Sequence, residues 1–177
     1  MRLLEELLPG CWLIEPKVFR DMRGEFVKTI QESFLVENGL NFKIREEFYS
    51  SSRSGVLRGM HFQRPPHDHI KFVTCVSGEV LDVLVDIRKG NSYGRIASTK
   101  LSAENAHCIY IPSGIAHGFL AISDDSLMLY KTSSEYSHSH DDGIHWNSFS
   151  FDWGIVKPIV SNRDESHSSF LSFQTPF

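Results

Sequence analysis

Apolar residues alternate with polar ones over short stretches of this chain, and Gly, Pro, Asn and Ser interrupt them at close intervals. That texture predicts strands rather than helices. Cys11-Trp-Leu-Ile14 reads as a short extended segment closed off by Glu15-Pro16, and Asp21 to Gly24 has turn chemistry between apolar flanks, with Val27 to Ile30 as a following strand. From Glu47 onward the pattern is all-β: Ile70 to Val76 is one apolar run, Ser77-Gly78 is a turn, and Val80 to Ile87 is the next strand. Ile96 to Leu101 and Leu127 to Thr132 are further strand candidates, and Ser133 to Asp142 reads as a loop. The one helix the pattern supports runs from Ser33 to Gly39 on the outside of the fold, with Ser33 as N-cap and Gly39 as its stop. After Trp153 the chain turns polar and aromatic, and Phe170 to Phe177 either docks on a neighbour or frays. Short strands at regular spacing predict a sandwich, a barrel or a jelly roll.

Two stretches depart from simple alternation. In Val80 to Ile87, Asp82 and Asp86 share a strand face with Val80 and Leu84. Carboxylates placed so either meet cations in a cavity or lie on the solvated side of a sheet. In Gly55 to Lys71, Arg58, His61, Arg64, His67, His69 and Lys71 are interleaved with Val56, Leu57, Met60 and Phe62. This suggests polar side chains turned into a pocket, where imidazoles, titrating near neutrality, suit proton transfer. On residue types alone a polar hairpin with surface histidines is as good a reading.

A length of 177 residues suits a single domain spanning residues 1–177. The net charge of −4 gives no electrostatic reason to expect nucleic acid or an anionic membrane, so an anionic ligand needs a local cluster of cations. No apolar run is long enough to cross a bilayer, and the acidic N-terminal stretch is unlike a signal peptide. Cys11, Cys75 and Cys108 are widely separated among apolar neighbours and read as buried thiols, which makes the cytoplasm the expected address.

Two chemistries compete for the histidines. His67-x-His69 on one strand, with His117 from a later turn, partly matches a cupin metal site. Lys71 follows where such sites usually carry Glu, and an ammonium beside a dication is unfavourable, so no metal is expected there. The alternative is proton transfer. The blocks Asp21-x-Arg23-Gly-x-Phe26, Gly55-Val-Leu-Arg58-Gly-Met-His61-Phe-Gln63, Pro65-Pro-His67, Lys71, Gly78-x-Val-x-Asp82-Val83 and Asp86-x-Arg88 appear in that order. Ile111-Pro-x-Gly-x-Ala-His117-Gly-Phe119, Tyr130-Lys131, Gly143-Ile-x-Trp146 and Ser161-x-Arg163-Asp164 follow. Together they resemble the dTDP-4-dehydrorhamnose 3,5-epimerase family over nearly the whole chain.

The resemblance implies a cupin-type jelly roll with a short peripheral helix, usually a homodimer that exchanges strands. It implies inversion of carbons beside the ketone of a nucleotide-diphosphate-linked 4-keto-6-deoxy sugar, in the making of deoxysugars for surface polysaccharide such as O-antigen. No redox step occurs, so no cofactor is required. By resemblance His61 is the base, Asp164 orients it, and Tyr130 is the acid, its pKa lowered by Lys71 or an arginine. Lys71 and His117 match positions at the sugar and its oxyanion, and Arg23, Arg58 and Arg163 match positions that hold the nucleotide-sugar. Asp141 falls where the family commonly has Glu. Three substrate-lining positions depart from the family: Lys28 replaces Glu, and Glu46 and Phe48 replace Gln and Asn. These changes in charge and hydrogen bonding imply a different nucleotide, cytidine or guanosine diphosphate among them, or a different sugar. A ketone-isomerising relative, or a metal- or sugar-binding module without turnover, is the competing reading.

Overall fold

The computed structural model describes all 177 residues. Two antiparallel sheets lie face to face as a jelly roll. The first joins β1 (Arg2–Leu8), β2 (Cys11–Glu15), β10 (Cys108–Ile111), β7 (Lys71–Ser77), β12 (Ser126–Thr132) and β5 (Glu46–Ser52), in the order β1-β2-β10-β7-β12-β5. The second joins β13 (Asp141–Gly143), β6 (Leu57–Gln63), β11 (Ile115–Ala121), β8 (Glu79–Asp86) and β9 (Ile96–Ser102), in the order β13-β6-β11-β8-β9. A separate two-stranded hairpin, β3 (Lys17–Asp21) with β4 (Gly24–Lys28), turns through the Asp21 to Gly24 segment as the sequence suggests.

The period-two pattern explains how the sheets meet. Val73 and Cys75 of β7, Val80 and Leu84 of β8, Phe119 and Ala121 of β11, and Met128 of β12 form one buried cluster between the sheets. Further along the same strand faces of β7, β11 and β12 the residues become polar, at Lys71, at His117, and at Tyr130 then Thr132, while on β8 Asp82 sits between Val80 and Leu84. One end of the sandwich is therefore dry and packed, and the other carries the chemistry.

Each sheet is also covered on its outer face. Leu57, Met60, Phe62, Val83, Val85 and Ile87 pack beneath the C-terminal segment, which brings Trp146, Trp153, Phe170, Phe173 and Phe177. The last aromatic residues thus dock on their own chain rather than fraying. Ile14, Phe72, Cys108 and Tyr110 pack against α1 (Glu32–Glu37) and the residues after it, through Leu35, Leu40 and Phe42.

Several sequence expectations shift. The helix starts at Glu32, with Gln31 in the cap position and no side-chain cap. Ser33 lies inside the first turn and its hydroxyl accepts from Gln31 Nε2 at 2.9 Å, so it does not cap. Gly39, at φ +69°, follows the C-cap Asn38, consistent with a glycine stop. β1 is not legible as a strand because Leu3-Leu4 and Leu7-Leu8 around Glu5-Glu6 do not alternate, and its pairing with β2 shifts register between Leu3 and Glu5 and between Glu6 and Leu8. The three cysteines are free and buried.

Candidate active site

Residues from both sheets surround a cavity of about 270 Å³. β6 contributes Arg58, His61 and Gln63, β7 Lys71, β11 His117, β12 Tyr130, and β5 Glu46, Phe48 and Ser50. Asp141, Arg163, Tyr136 and His69 close the rim.

The placement of His61 depends on a close approach of two strands. β6 and β11 pair with an irregularity between His117 and Phe119, and a Cβ on Gly59 would lie 2.6 Å from the Cα of Gly118. Gly59 also has φ +146°, so no other residue fits there without strain. Its N–H donates to Asp164 Oδ2 at 3.1 Å, and Asp164 Oδ1 lies 2.9 Å from His61 Nε2. Asp164 sits in α2 (Asn162–Glu165), where Ser161 Oγ accepts from its backbone N–H at 3.1 Å. Although burial opposes it, the bond and charge of His61 hold the Asp164 carboxyl down at about 2. Burial lowers His61 more than Asp164 raises it, so the imidazole favours the neutral form. With Nε2–H given to Asp164, Nδ1 carries the free lone pair.

Lys71 Nζ donates to the His61 carbonyl at 2.9 Å, and burial brings its pKa down to about 8 against the pull of Asp141 and Asp82. His117 Nε2 lies 2.7 Å from Asp82 Oδ2, both side chains buried. The two aspartates of β8 are therefore the enclosed kind: Asp82 faces His117, and Asp86 is bound by Arg88 at 2.5 Å.

Tyr130 is 8% exposed, and its ring stacks on Phe48 with centroids 4.8 Å apart and planes at 13°. Its hydroxyl lies 3.4 Å from Ser50 Oγ. The expectation of a lowered phenol pKa does not hold: burial raises it, and the opposing effects of Ser50 and Arg58 are smaller. No cation in the structure touches the hydroxyl, which stays a neutral donor.

Of the cations expected at the substrate, Arg58 lines the cavity and is held by Ser52 Oγ and the Ser51 carbonyl, both at 3.0 Å. Arg163 pairs with Asp141 at 2.8 Å on the rim. Glu46 accepts from the Tyr136 N–H at 2.8 Å. Arg23 and Lys28 stand apart, on the β3–β4 hairpin and outside the cavity of their own chain; Arg23 is bound to Asp21 at 2.6 Å. Gln63 and Tyr136 escaped sequence reasoning. Gln63 organises the rim, donating to the His67 carbonyl at 2.7 Å and accepting from the Ser137 N–H at 2.6 Å. The signal for Tyr136 was an aromatic residue inside a Ser- and His-rich loop.

The metal constellation is not assembled as drawn. His67 and His69 precede β7 and are not on a strand, so they share no face. His69 and His117 line the cavity, whereas His67 is exposed and its ring lies beside that of His140, centroids 4.3 Å apart and planes tilted at 34°. His117 Nε2 is already occupied by Asp82.

A cupin-type jelly roll with an ionisable cavity at one end of its sandwich defines a class, and comparison with known proteins narrows it. The family model for dTDP-4-dehydrorhamnose 3,5-epimerase matches residues 5–172. A dTDP-4-dehydrorhamnose 3,5-epimerase of Shigella flexneri is 38% identical over 175 residues, covering 97% of each chain. The crystal structure of the Bacillus anthracis enzyme of that name, with TDP and PPi bound, superposes with a TM-score of 0.93 at 30% identity, over 96% of this chain and 99% of that one. The 3,5-epimerase of Legionella pneumophila, in complex with dTDP-4-keto-L-rhamnose, gives 0.92 at 30% identity, over 98% and 94%. The chain belongs to the dTDP-4-dehydrorhamnose 3,5-epimerase family and is a sugar epimerase, hence an isomerase.

Proposed function

We propose that the chain inverts one or both carbons beside the ketone of a nucleotide-diphosphate-linked 4-keto-6-deoxy sugar, with His61 as base and Tyr130 as acid. The observation that carries this reading is that both side chains line one cavity, with His61 Nε2 held by Asp164 at 2.9 Å and Nδ1 left to accept. The ketone acidifies its neighbouring C–H, His61 Nδ1 takes that proton, and the charge moves to the carbonyl oxygen as an enolate. Lys71 and His117 stabilise the oxyanion. The enolate carbon then takes a proton from the Tyr130 hydroxyl on the opposite face. A phenol that keeps its proton until a strongly basic carbon presents itself suits this role. Electrons are conserved throughout, so the chemistry calls for no redox cofactor.

Arg58 and Arg163 bind the diphosphate, and Glu46, Phe48 and Asp141 border the sugar and nucleotide. TDP and dTDP-4-keto-L-rhamnose in the relatives' structures make thymidine the first nucleotide to test. The substitutions at Lys28, Glu46 and Phe48 make cytidine and guanosine the next.

The working form is a homodimer. Phe19 and Phe26 on the hairpin are 54% and 61% exposed and Met22 is fully so, an apolar surface that a second copy would cover. Crossing to that copy brings Arg23 and Lys28 to the partner's cavity. No helix of the chain is long and apolar enough to cross a membrane, and the free, buried thiols fit a cytoplasmic address.

The test is incubation with 4-keto-6-deoxy sugars on thymidine, cytidine and guanosine diphosphate in heavy water. Deuterium enters each carbon whose proton is removed, which also counts the carbons inverted. His61→Ala is expected to lower uptake by about 10²–10⁴-fold. Normal uptake in that variant would rule out His61 as base, and no uptake with any of the three nucleotides would overturn the proposed substrate.

A further inference from the structure

The imidazole of His167, just beyond α2, lies behind the His61–Asp164 pair and has no place in the mechanism above. Its position is reserved by a glycine: a Cβ on Gly143 would come within 2.5 Å of His167 Nε2. That nitrogen is buried without a hydrogen-bond partner. It lies 4.0 Å from Asp164 Oδ1, the oxygen that His61 Nε2 already holds at 2.9 Å. The three donor atoms are all within 4.8 Å of one another. Asp141 and Asp142 of β13 add negative charge around His167, and Arg163 opposes it.

Two imidazole nitrogens and one carboxylate oxygen are a donor set for zinc and similar transition ions. Bonds of about 2.0–2.1 Å in a tetrahedron put neighbouring donor atoms roughly 3.3 Å apart. To reach that spacing His61 and Asp164 need to separate slightly, and His167 to close by roughly 0.7 Å on Asp164 and by at most about 1.5 Å on His61. We propose that His61, Asp164 and His167 form a binding site for a divalent transition ion of the zinc type, and that filling it switches off the base. The second half rests on the assignment of His61 as base; the first does not.

The switch follows from the tautomer. Neutral His61 carries its hydrogen on Nε2, facing Asp164, and its lone pair on Nδ1. An ion bound at Nε2 needs the lone pair there, so the hydrogen moves to Nδ1 with no net release of a proton. Asp164 remains a carboxylate and binds through Oδ1, and water takes the fourth position. With Nδ1 protonated, His61 cannot take a proton from carbon.

The test begins with metal-free protein titrated with Co²⁺ and followed by its visible absorption. One ion per chain with a tetrahedral band is expected, displaced by Zn²⁺. Deuterium uptake should fall in step with Zn²⁺ occupancy and return with a chelator. His167→Ala should weaken Co²⁺ binding at least about tenfold. His140→Ala, beside exposed His67 and outside the proposed site, should leave binding unchanged. Should His167→Ala fail to fold, nitrogen spectra of the wild-type imidazoles replace it, and Zn²⁺ must shift His61 and His167. Absence of the band, unchanged affinity in His167→Ala, or shifts confined to other histidines would overturn the site. Undiminished uptake with the site filled would overturn the switch alone, and uptake surviving in His61→Ala would trace that failure to the base assignment.

Discussion

At the scale of single residues, the protonation states of His61, Lys71 and Tyr130 follow from enclosure more than from charge neighbours, whereas Asp164 is held ionised by His61 against its burial. Tyr130 has Lys71 and Arg58 in the same cavity, yet burial among β-strand neighbours dominates and its pKa rises. Replacing Tyr130 by Phe is therefore expected to leave deuterium uptake through His61 while stopping net inversion, which product stereochemistry would check. Lys71 has the opposite sensitivity. Its pKa is lowered to about 8, so the ammonium is present below that pH and lost above it. Stabilisation of the enolate should therefore weaken as pH rises through about 8, seen as a fall in kcat. Lys71→Arg, whose guanidinium keeps its charge, should move that limb to higher pH. His61 and Tyr130 could be singled out from the motif blocks, but the sign of the Tyr130 shift could not, because desolvation depends on what lies on every side.

At the scale of elements, the geometry of the site rests on β6 and on the C-terminal segment that covers it. The β6–β11 contact at Gly59 tolerates no side chain, and the same residue supplies a hydrogen bond to Asp164. Gly59→Ala is expected to destabilise the fold by more than about 1 kcal/mol and to lower kcat with it, checked by denaturant unfolding and turnover. The C-terminal segment holds α2, and thus Asp164, over β6. Trp153 is 4% exposed and donates from Nε1 to the Trp146 carbonyl at 3.0 Å. Trp153→Ala should cost about 3–5 kcal/mol, read as a fall in the urea midpoint. Most strands were legible because one face of each is apolar and the pattern repeats every second residue. β1 and the three-residue β13 were not, the first for lack of alternation and the second because so short a stretch carries no period.

At the scale of the whole molecule, the hairpin is a two-stranded sheet paired with neither layer of the sandwich. It presents aromatic residues to solvent and carries two of the expected substrate contacts away from the cavity. If it completes a partner's site, mixing His61→Ala and Arg23→Ala subunits should restore activity. Each mixed dimer would have one intact site, so roughly a quarter of wild-type turnover is expected after random exchange of equal amounts. Recovery of no activity, with mixed dimers verified by mass, would put Arg23 in the cavity of its own chain or outside the reaction.

The sequence by itself determined the β-rich class, the wide separation of its three cysteines, the family and the order of the blocks that carry His61, Tyr130 and Asp164, since these depend on local periodicity and residue identity. Only the tertiary structure decided that Lys71, Asp82, His117 and Tyr130 all turn inward at the same end of the sandwich, and that His67 and His69 do not share a strand face. It also set His167 behind the His61–Asp164 pair, a relation spanning 103 residues between the paired groups. The reason is that strand register and sheet closure fix which distant residues meet, and neither is written in the alternation of any one strand.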